Sequence, residues 1–432
     1  MDDAGRRGEM LSPGRQAGAG ASPSRRVLLI VENCSVPFDQ RVWLEAKALR
    51  DGGYSVCVLS PRARGQLAHE ILEGIEVFRH PALPEAAGAL GYALEYGAAL
   101  FWELCFAWRI FFRRGFEVVH LANPPDTLFL VAGLFKLLFG TKVIYDHHDL
   151  CPELYEAKFG RKGLGHRITV LLERCSVRVA DVVISTNDSY RRMAIERDGK
   201  DPSRVFVVRN GPNLERVRLQ PKVPEYKRGR RYLVGYVGII GFQEGLRYLV
   251  QAAAHIVHGC NRHDIHFVVI GDGTDLPAVR ALAARLEVDD YFTFTGLITD
   301  PKVLMGYLST ADICINPDEH NSINNMSTTI KVMEYMALAK PIIQFDTMEG
   351  RVSAGESALY ALANDSVDLA EKVMMLADDP QLRQVMGSIG RRRIEQELAW
   401  VHQAPRLLAV YEALFRDAGP VLVDGARPRE SA

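Results

Sequence analysis

Short apolar runs rich in β-branched residues alternate along the chain with segments whose apolar positions recur every three to four residues. The first pattern predicts buried strands and the second amphipathic helices, and their alternation is the signature of an α/β parallel sheet. In the first half the strand-like runs are Val27–Val31, Ser55–Leu59, Ile75–Phe78, Val118–Leu121, Lys142–Tyr145, Val182–Ser185 and Val205–Val208. A polar, basic stretch follows at 215–231, with Pro221, Pro224, Lys222, Lys227, Arg228, Arg230 and Arg231, and reads as a linker. The pattern then restarts with Tyr232–Val237, His266–Ile270, Phe292–Phe294, Ile313–Ile315, Pro341–Phe345 and Leu359–Leu362. Two such units predict two Rossmann-like, doubly wound domains, 25–214 and 232–395, facing one another across a cleft. Ligands of these sheets bind beyond the carboxyl ends of the strands. Residues 396–416 predict a helix crossing the domain boundary, with Leu407, Leu408, Val410, Tyr411 and Leu414 on one stripe.

The ends and the bulk numbers narrow the class. Residues 1–24 are rich in Gly, Ala, Ser, Pro and Arg without an apolar core, which predicts a disordered leader rather than a signal peptide; 417–432 reads as a flexible tail. A net charge of −1 argues against nucleic-acid binding. Seven scattered cysteines without a CxxC pair point to a reducing cytosol. The most lipid-like stretch, Ala86 to Phe112, is interrupted by Glu95, Glu103 and Arg109, so no membrane span is expected. It reads as a core-packing helix pair, with an interfacial helix making peripheral membrane contact through 86–114 as the other reading.

The segment Asn325–Ile343 carries the sharpest chemistry: a polar loop, a short helix and a buried strand. Ser327, Thr328 and Thr329 are N-cap residue types, and a helix start collects unpaired N–H groups that bind anions. Lys331 lies in the first turn, where the dipole disfavours a cation and an anionic ligand would resolve the conflict. Glu334 shares its face and accepts hydrogen bonds from hydroxyls. A phosphate binder beside a hydroxyl binder is what a nucleotide-sugar requires.

Other candidates sit at strand ends. Gly238 and Gly241 form one glycine-rich turn and Gly271, Asp272 and Gly273 another, both read as donor-lining loops. Arg351 lies in the charged loop after the next strand. His120 and Asp126 flank the end of one strand, and Asp146-His147-His148-Asp149 ends the next. Neighbouring residues on a strand point to opposite faces, so the two histidines do not chelate one ion: one is expected to face the cleft, and no metal site is expected. Asp39 and Arg41 read either as a solvated ion pair or as a cleft-facing contact. Arg209 and Asn210 mark a turn near the hinge.

These residues resemble the retaining, family-4 glycosyltransferases of GT-B fold. The second half carries the resemblance over nearly its whole length, through Val269-Ile270-Gly271-Asp272-Gly273, Phe294-Thr295-Gly296, Ala311-Asp312, Lys331…Glu334-Tyr335-Met336-Ala337…Lys340-Pro341 and Tyr411. The first half resembles the acceptor domain more loosely, through His120, Asp146-His147-His148, Ala180-Asp181 and Arg209-Asn210-Gly211. The resemblance, in its "KxxEYMA" form, implies transfer of a sugar from a nucleotide-diphosphate sugar to a saccharide or lipid-linked acceptor, without metal or cofactor. It also implies polysaccharide or glycolipid assembly at the cytoplasmic face of a membrane. In it Lys331, His120 and His148 are the catalytic candidates and Glu334 the ribose holder. The chain departs from the family at Met326, where its first glutamate is usual, and at Ile239 and Glu244, where cations are usual. Those losses keep a catalytically silent GT-B partner subunit open, alongside a nucleotide-sugar epimerase-like enzyme.

Overall fold

The computed structural model describes residues 25–81, 88–160 and 162–415. The expected leader, the tail and the first two residues of the lipid-like stretch lie outside the described residues.

The first domain builds its strands from the β-branched runs: β1 (Arg26–Val31), β2 (Ser55–Arg62), β3 (His69–Leu72), β4 (Ile75–Pro81), β5 (Val118–Ala122), β6 (Lys142–His147), β7 (Val182–Ser185) and β8 (Val205–Val207). Their order is β3-β4-β2-β1-β5-β6-β7-β8, parallel except for the antiparallel β3. Its helices are α1 (Gln40–Asp51), α2 (Gly88–Arg114), α3 (Phe129–Phe139), α4 (Cys151–Phe159), α5 (Leu164–Val179) and α6 (Asp188–Arg192). Apolar clusters cover both faces of the sheet, which is why its central strands read as continuous hydrophobic runs.

The second sheet contains β9 (Tyr232–Val237), β10 (Ile265–Ile270), β11 (Phe292–Gly296), β12 (Ile313–Asn316), β13 (Ile342–Phe345) and β14 (Ala358–Ala361), in the order β11-β10-β9-β12-β13-β14. Around it run α7 (Leu246–Ala254), α8 (Leu276–Arg285), α9 (Pro301–Thr310), α10 (Ile330–Ala337), α11 (Met348–Ala354), α12 (Ser366–Asp378) and α13 (Pro380–Arg393). The last helix, α14 (Trp400–Phe415), returns to the first domain, where Leu407, Val410, Tyr411 and Leu414 join the cluster containing α1. Gly211 lets it pass: a Cβ there would collide with the Leu398 carbonyl.

Strand order reverses between β1 and β5 in one sheet and between β9 and β12 in the other. Diverging loops at such a reversal leave a crevice at the carboxyl edge. The described part of the lipid-like stretch is one continuous helix, α2, rather than the expected pair. Ala99, Glu103, Ala107 and Ile110 form its buried side.

Candidate functional site

The crevice between β9 and β12 is lined by the turn after β9, the Pro317–Glu319 segment after β12, and the start of α10. Lys331 projects into it. Its Nζ lies 2.7 Å from Asp318 Oδ1 and 3.3 Å from the Tyr236 hydroxyl, and 4.7 Å above the Tyr236 ring. Burial works against the charge on Lys331, but the Asp318 carboxylate outweighs it and holds the ammonium firmly protonated. The sequence placed an uncompensated lysine here. The structure supplies Asp318 as a partner thirteen residues earlier, at the start of the segment that leads from β12 into α10.

Glu334 lies one turn further along α10, half-buried, and its carboxylate has no hydrogen-bond partner among the described residues. Burial raises its pKa, partly offset by Arg216, an exposed residue after the first domain that sequence reasoning did not single out. The helix start differs from expectation. Thr329 is the N-cap residue but makes no side-chain capping bond. The Ser327 hydroxyl instead donates to the Ile323 carbonyl and lies 2.9 Å from the Tyr190 hydroxyl, and Thr328 Oγ1 accepts from Asn187 at 3.0 Å. The hydroxyls are spent tying the loop to α6, so the backbone N–H groups of the first turn are the donors left for an anion.

The glycine turns are stacked on each other. A Cβ at Gly271, where φ is +138°, would run into the Gly238 carbonyl, and one at Gly273 into the Ile240 carbonyl. Close backbone packing therefore accounts for these two glycines without a ligand. Gly238 leaves the space beside Tyr236 and Lys331 open, and Gly241 donates its N–H to Glu244 at 3.0 Å. Ile239 points outward at 73 % exposure, and Asp272 is exposed as well. Arg351 lies outside this constellation: it is 57 % exposed and grips Asp346 with two hydrogen bonds of 2.5 and 2.7 Å.

On the opposite wall the polar residues of β5 and β6 form a buried network. Arg41 does not pair with Asp39, which caps α1 through the Val42 N–H at 3.0 Å. Its guanidinium holds Asp146 in a bidentate pair at 2.7 and 2.6 Å and also donates to Asn210 Oδ1 at 2.5 Å. Arg41 is 7 % exposed, so both the solvated-pair and the cleft-facing readings give way to a buried clamp joining α1, β6 and the segment after β8. Though burial favours its neutral form, Arg41 keeps Asp146 well below the usual carboxylate range.

His148 Nδ1 lies 3.1 Å from Asp146 Oδ2, and burial of the ring is outweighed by that hydrogen bond, which raises its pKa to about 9. With 11 % of its side chain exposed, His148 is the histidine of the pair at the surface of the wall. His147 is buried against Glu173. His120 is fully buried: Nδ1 lies 2.8 Å from the Tyr411 hydroxyl and Nε2 lies 3.6 Å from Glu45. Burial pushes its pKa down to about 4, which makes it a neutral strut inside a two-sided sheet and not a residue open to substrate. Asp126 is likewise internal, accepting from Tyr145 at 2.5 Å and Asn123 at 3.1 Å.

The two walls touch. Asn187 donates to the Met326 carbonyl at 2.8 Å, and Ser189 donates to Glu349 at 2.7 Å. Arg209, whose guanidinium lies 3.8 Å from the other Glu349 oxygen and 3.3 Å from Asp188, sits at this junction. Lys331, Glu334, Ser327 and Thr328 thus face one wall, His148 the other, with Arg209 and Asn210 near the hinge.

Two family models match the chain, one described as glycosyl transferases group 1 over residues 231–379 and one as a glycosyl transferase 4-like domain over 39–211. Alpha-maltose-1-phosphate synthase of Mycolicibacterium smegmatis is 27 % identical over 65 % of this chain and 76 % of its own length. The capsular polysaccharide biosynthesis glycosyltransferase CapM of Staphylococcus aureus is 23 % identical over 60 % of this chain and 68 % of its own. Among solved structures, sucrose-phosphate synthase of Thermosynechococcus elongatus superposes with a TM-score of 0.75 at 18 % identity, covering 90 % of this chain and 99 % of that one. Anabaena HepE, solved with UDP and glucose, gives 0.69 at 13 % over 90 % and 100 %. With both halves matched and the two doubly wound sheets in place, the chain belongs to the GT-B glycosyltransferases of the group 1 and family-4 type.

Proposed function

We propose that this glycosyltransferase moves a sugar from a nucleotide-diphosphate sugar to a saccharide or lipid-linked acceptor with retention of configuration, in polysaccharide or glycoconjugate assembly. The observation that carries the reading is the pairing, at the β9/β12 crevice, of a held lysine cation with a carboxylate that has no hydrogen-bond partner among the described residues. The donor diphosphate rests on the first-turn N–H groups of α10 and on Lys331, and Glu334 accepts from the ribose hydroxyls. Lys331 compensates for the cations missing at Ile239 and Glu244. Asp318 and Tyr236 hold its ammonium where charge develops on the leaving diphosphate, so stabilisation costs no reorganisation at the moment of transfer. His148, kept protonated by Asp146, adds a second positive group on the facing wall. No metal takes part in this step. HepE, bound to UDP and glucose, supports a uridine nucleotide as the first donor to try.

The proposal includes docking at the inner face of a membrane. No described helix is long and apolar enough to cross one. On α2, however, Leu94, Phe101, Cys105 and Phe112 are spaced by seven, four and seven residues, which puts them on one stripe, and all are exposed. Exposed Arg109 and Arg113 flank it, matching an anionic lipid surface.

A panel of nucleotide-sugars read by thermal shift tests the donor assignment. A cognate donor at about 100 times its Kd stabilises the native state by roughly 2.7 kcal/mol, which a melting curve resolves. Identical melting points across uridine, guanosine and adenosine diphosphate sugars would count against donor binding.

A further inference from the structure

Glu32, His80 and Glu103 play no part in the transfer site, yet three separate elements bring them together. Glu32 follows β1, His80 is the penultimate residue of β4, and Glu103 is the one charged residue on the buried side of α2. One donor atom from each lies within 4.8 Å of the others. His80 and Glu103 are buried to 0 and 1 % exposure, while Glu32 keeps 13 % of its side chain open. His80 Nε2 is 2.9 Å from Glu32 Oε2, and these two atoms and Glu103 Oε1 are buried with no hydrogen bond of good geometry among the described residues.

The other ring nitrogen is held from outside the trio. Nδ1 of His80 lies 3.0 Å from the Pro81 carbonyl oxygen, which only accepts, and this contact leaves Nε2 facing the carboxylates. Exchange of the Nε2 proton for an ion would place that ion against both carboxylates. The similar trio Glu45, His120 and Asp146 differs in that Arg41 already supplies its cation. No arginine or lysine pairs with Glu32 or Glu103 among the described residues.

We propose that Glu32, His80 and Glu103 form a structural divalent-cation site of the Zn²⁺ or Mn²⁺ class, stapling the middle of α2 to the carboxyl ends of β1 and β4. Two carboxylates balance the charge of one divalent ion. The mixed nitrogen and oxygen donor set favours a first-row transition ion over Ca²⁺ or Mg²⁺. The Pro81 carbonyl is the outer partner that orients the imidazole, as metal-bound histidines require. The rival occupant is a proton shared within the trio.

The test uses the full chain, dialysed against chelator and titrated with ZnCl₂, then MnCl₂, by calorimetry and thermal melting. The expected result is one ion bound per chain with a rise in melting temperature. In H80Q and E103Q that binding should weaken about 100-fold or more, since each lacks one of three ligands. E103Q has the shape of a protonated Glu103. If a proton is the true occupant, E103Q melts at or above wild type and the ions shift neither protein, which overturns the proposal. Stoichiometric binding that persists undiminished in folded E103Q and H80Q overturns it equally.

Discussion

Single residues explain most of what is unusual about the acceptor-side wall. Arg41 faces Asp146 and Glu45, so two buried carboxylates share one guanidinium. Asp146 wins the contact, taking both short bonds, while burial and the Asp146 charge raise the pKa of Glu45 to about 8. The sign of the resulting pH dependence follows from linkage. A carboxyl whose folded pKa exceeds its unfolded value binds more protons in the native state, so its contribution is fully present below the unfolded value near 4.3 and is lost as pH rises through 8. His148, raised to about 9, acts in the same direction at higher pH. His120, lowered to about 4, acts oppositely, but that effect is nearly complete by pH 6.5. Between pH 6.5 and 8 the melting temperature should therefore fall with rising pH, and E45Q should flatten that fall. Parallel wild-type and E45Q profiles would rule out a protonated Glu45. The hold of Arg41 on Asp146 was not legible in the sequence. Arg41 and Asp146 are 105 residues apart, and a long-range ion pair leaves no trace in local periodicity. The neighbouring Asp39, the partner weighed in the sequence, is occupied as a helix cap.

At the level of elements, the alternation of runs was enough for both sheets, because strands buried on two faces are nearly continuous in apolar residues. Four-residue β3 escaped it: His69-Glu70-Ile71-Leu72 is too short and too polar to stand out, and it pairs antiparallel at the sheet edge. α10 was legible from its spacing, whereas the use made of its leading hydroxyls was not, since Asn187 and Tyr190 lie more than 130 residues away. α2 divides into two faces that the linear sequence mixes together. The face containing Ala99, Glu103, Ala107 and Ile110 packs inward, and the Leu94, Phe101, Cys105, Phe112 stripe faces out. Replacing Phe101 and Phe112 with Glu removes apolar area and adds repulsion, yet both side chains are largely exposed, at 59 and 78 %, so the fold should tolerate the change. The double variant should lose co-sedimentation with vesicles containing anionic lipid while keeping the wild-type melting temperature. Retained vesicle binding would remove α2 from the membrane proposal.

At the scale of the whole molecule, two sheets present their reversal points to each other, and α14 returns across the boundary to close the unit. The hydrogen bonds from Asn187, Ser189 and Tyr190 to the loop before α10 and to Glu349 join the donor helix to the facing wall. Movement of one domain against the other would therefore be felt at the start of the helix that carries Lys331. The central claim is that Lys331 stabilises charge on the leaving diphosphate. Its most direct test is the steady-state transfer rate of purified K331A with the cognate nucleotide-sugar, with circular dichroism confirming the fold. In K331A kcat/KM should drop by about 100-fold or more, in line with loss of a preorganised electrostatic contact. Transfer at near wild-type efficiency by a folded K331A would contradict it.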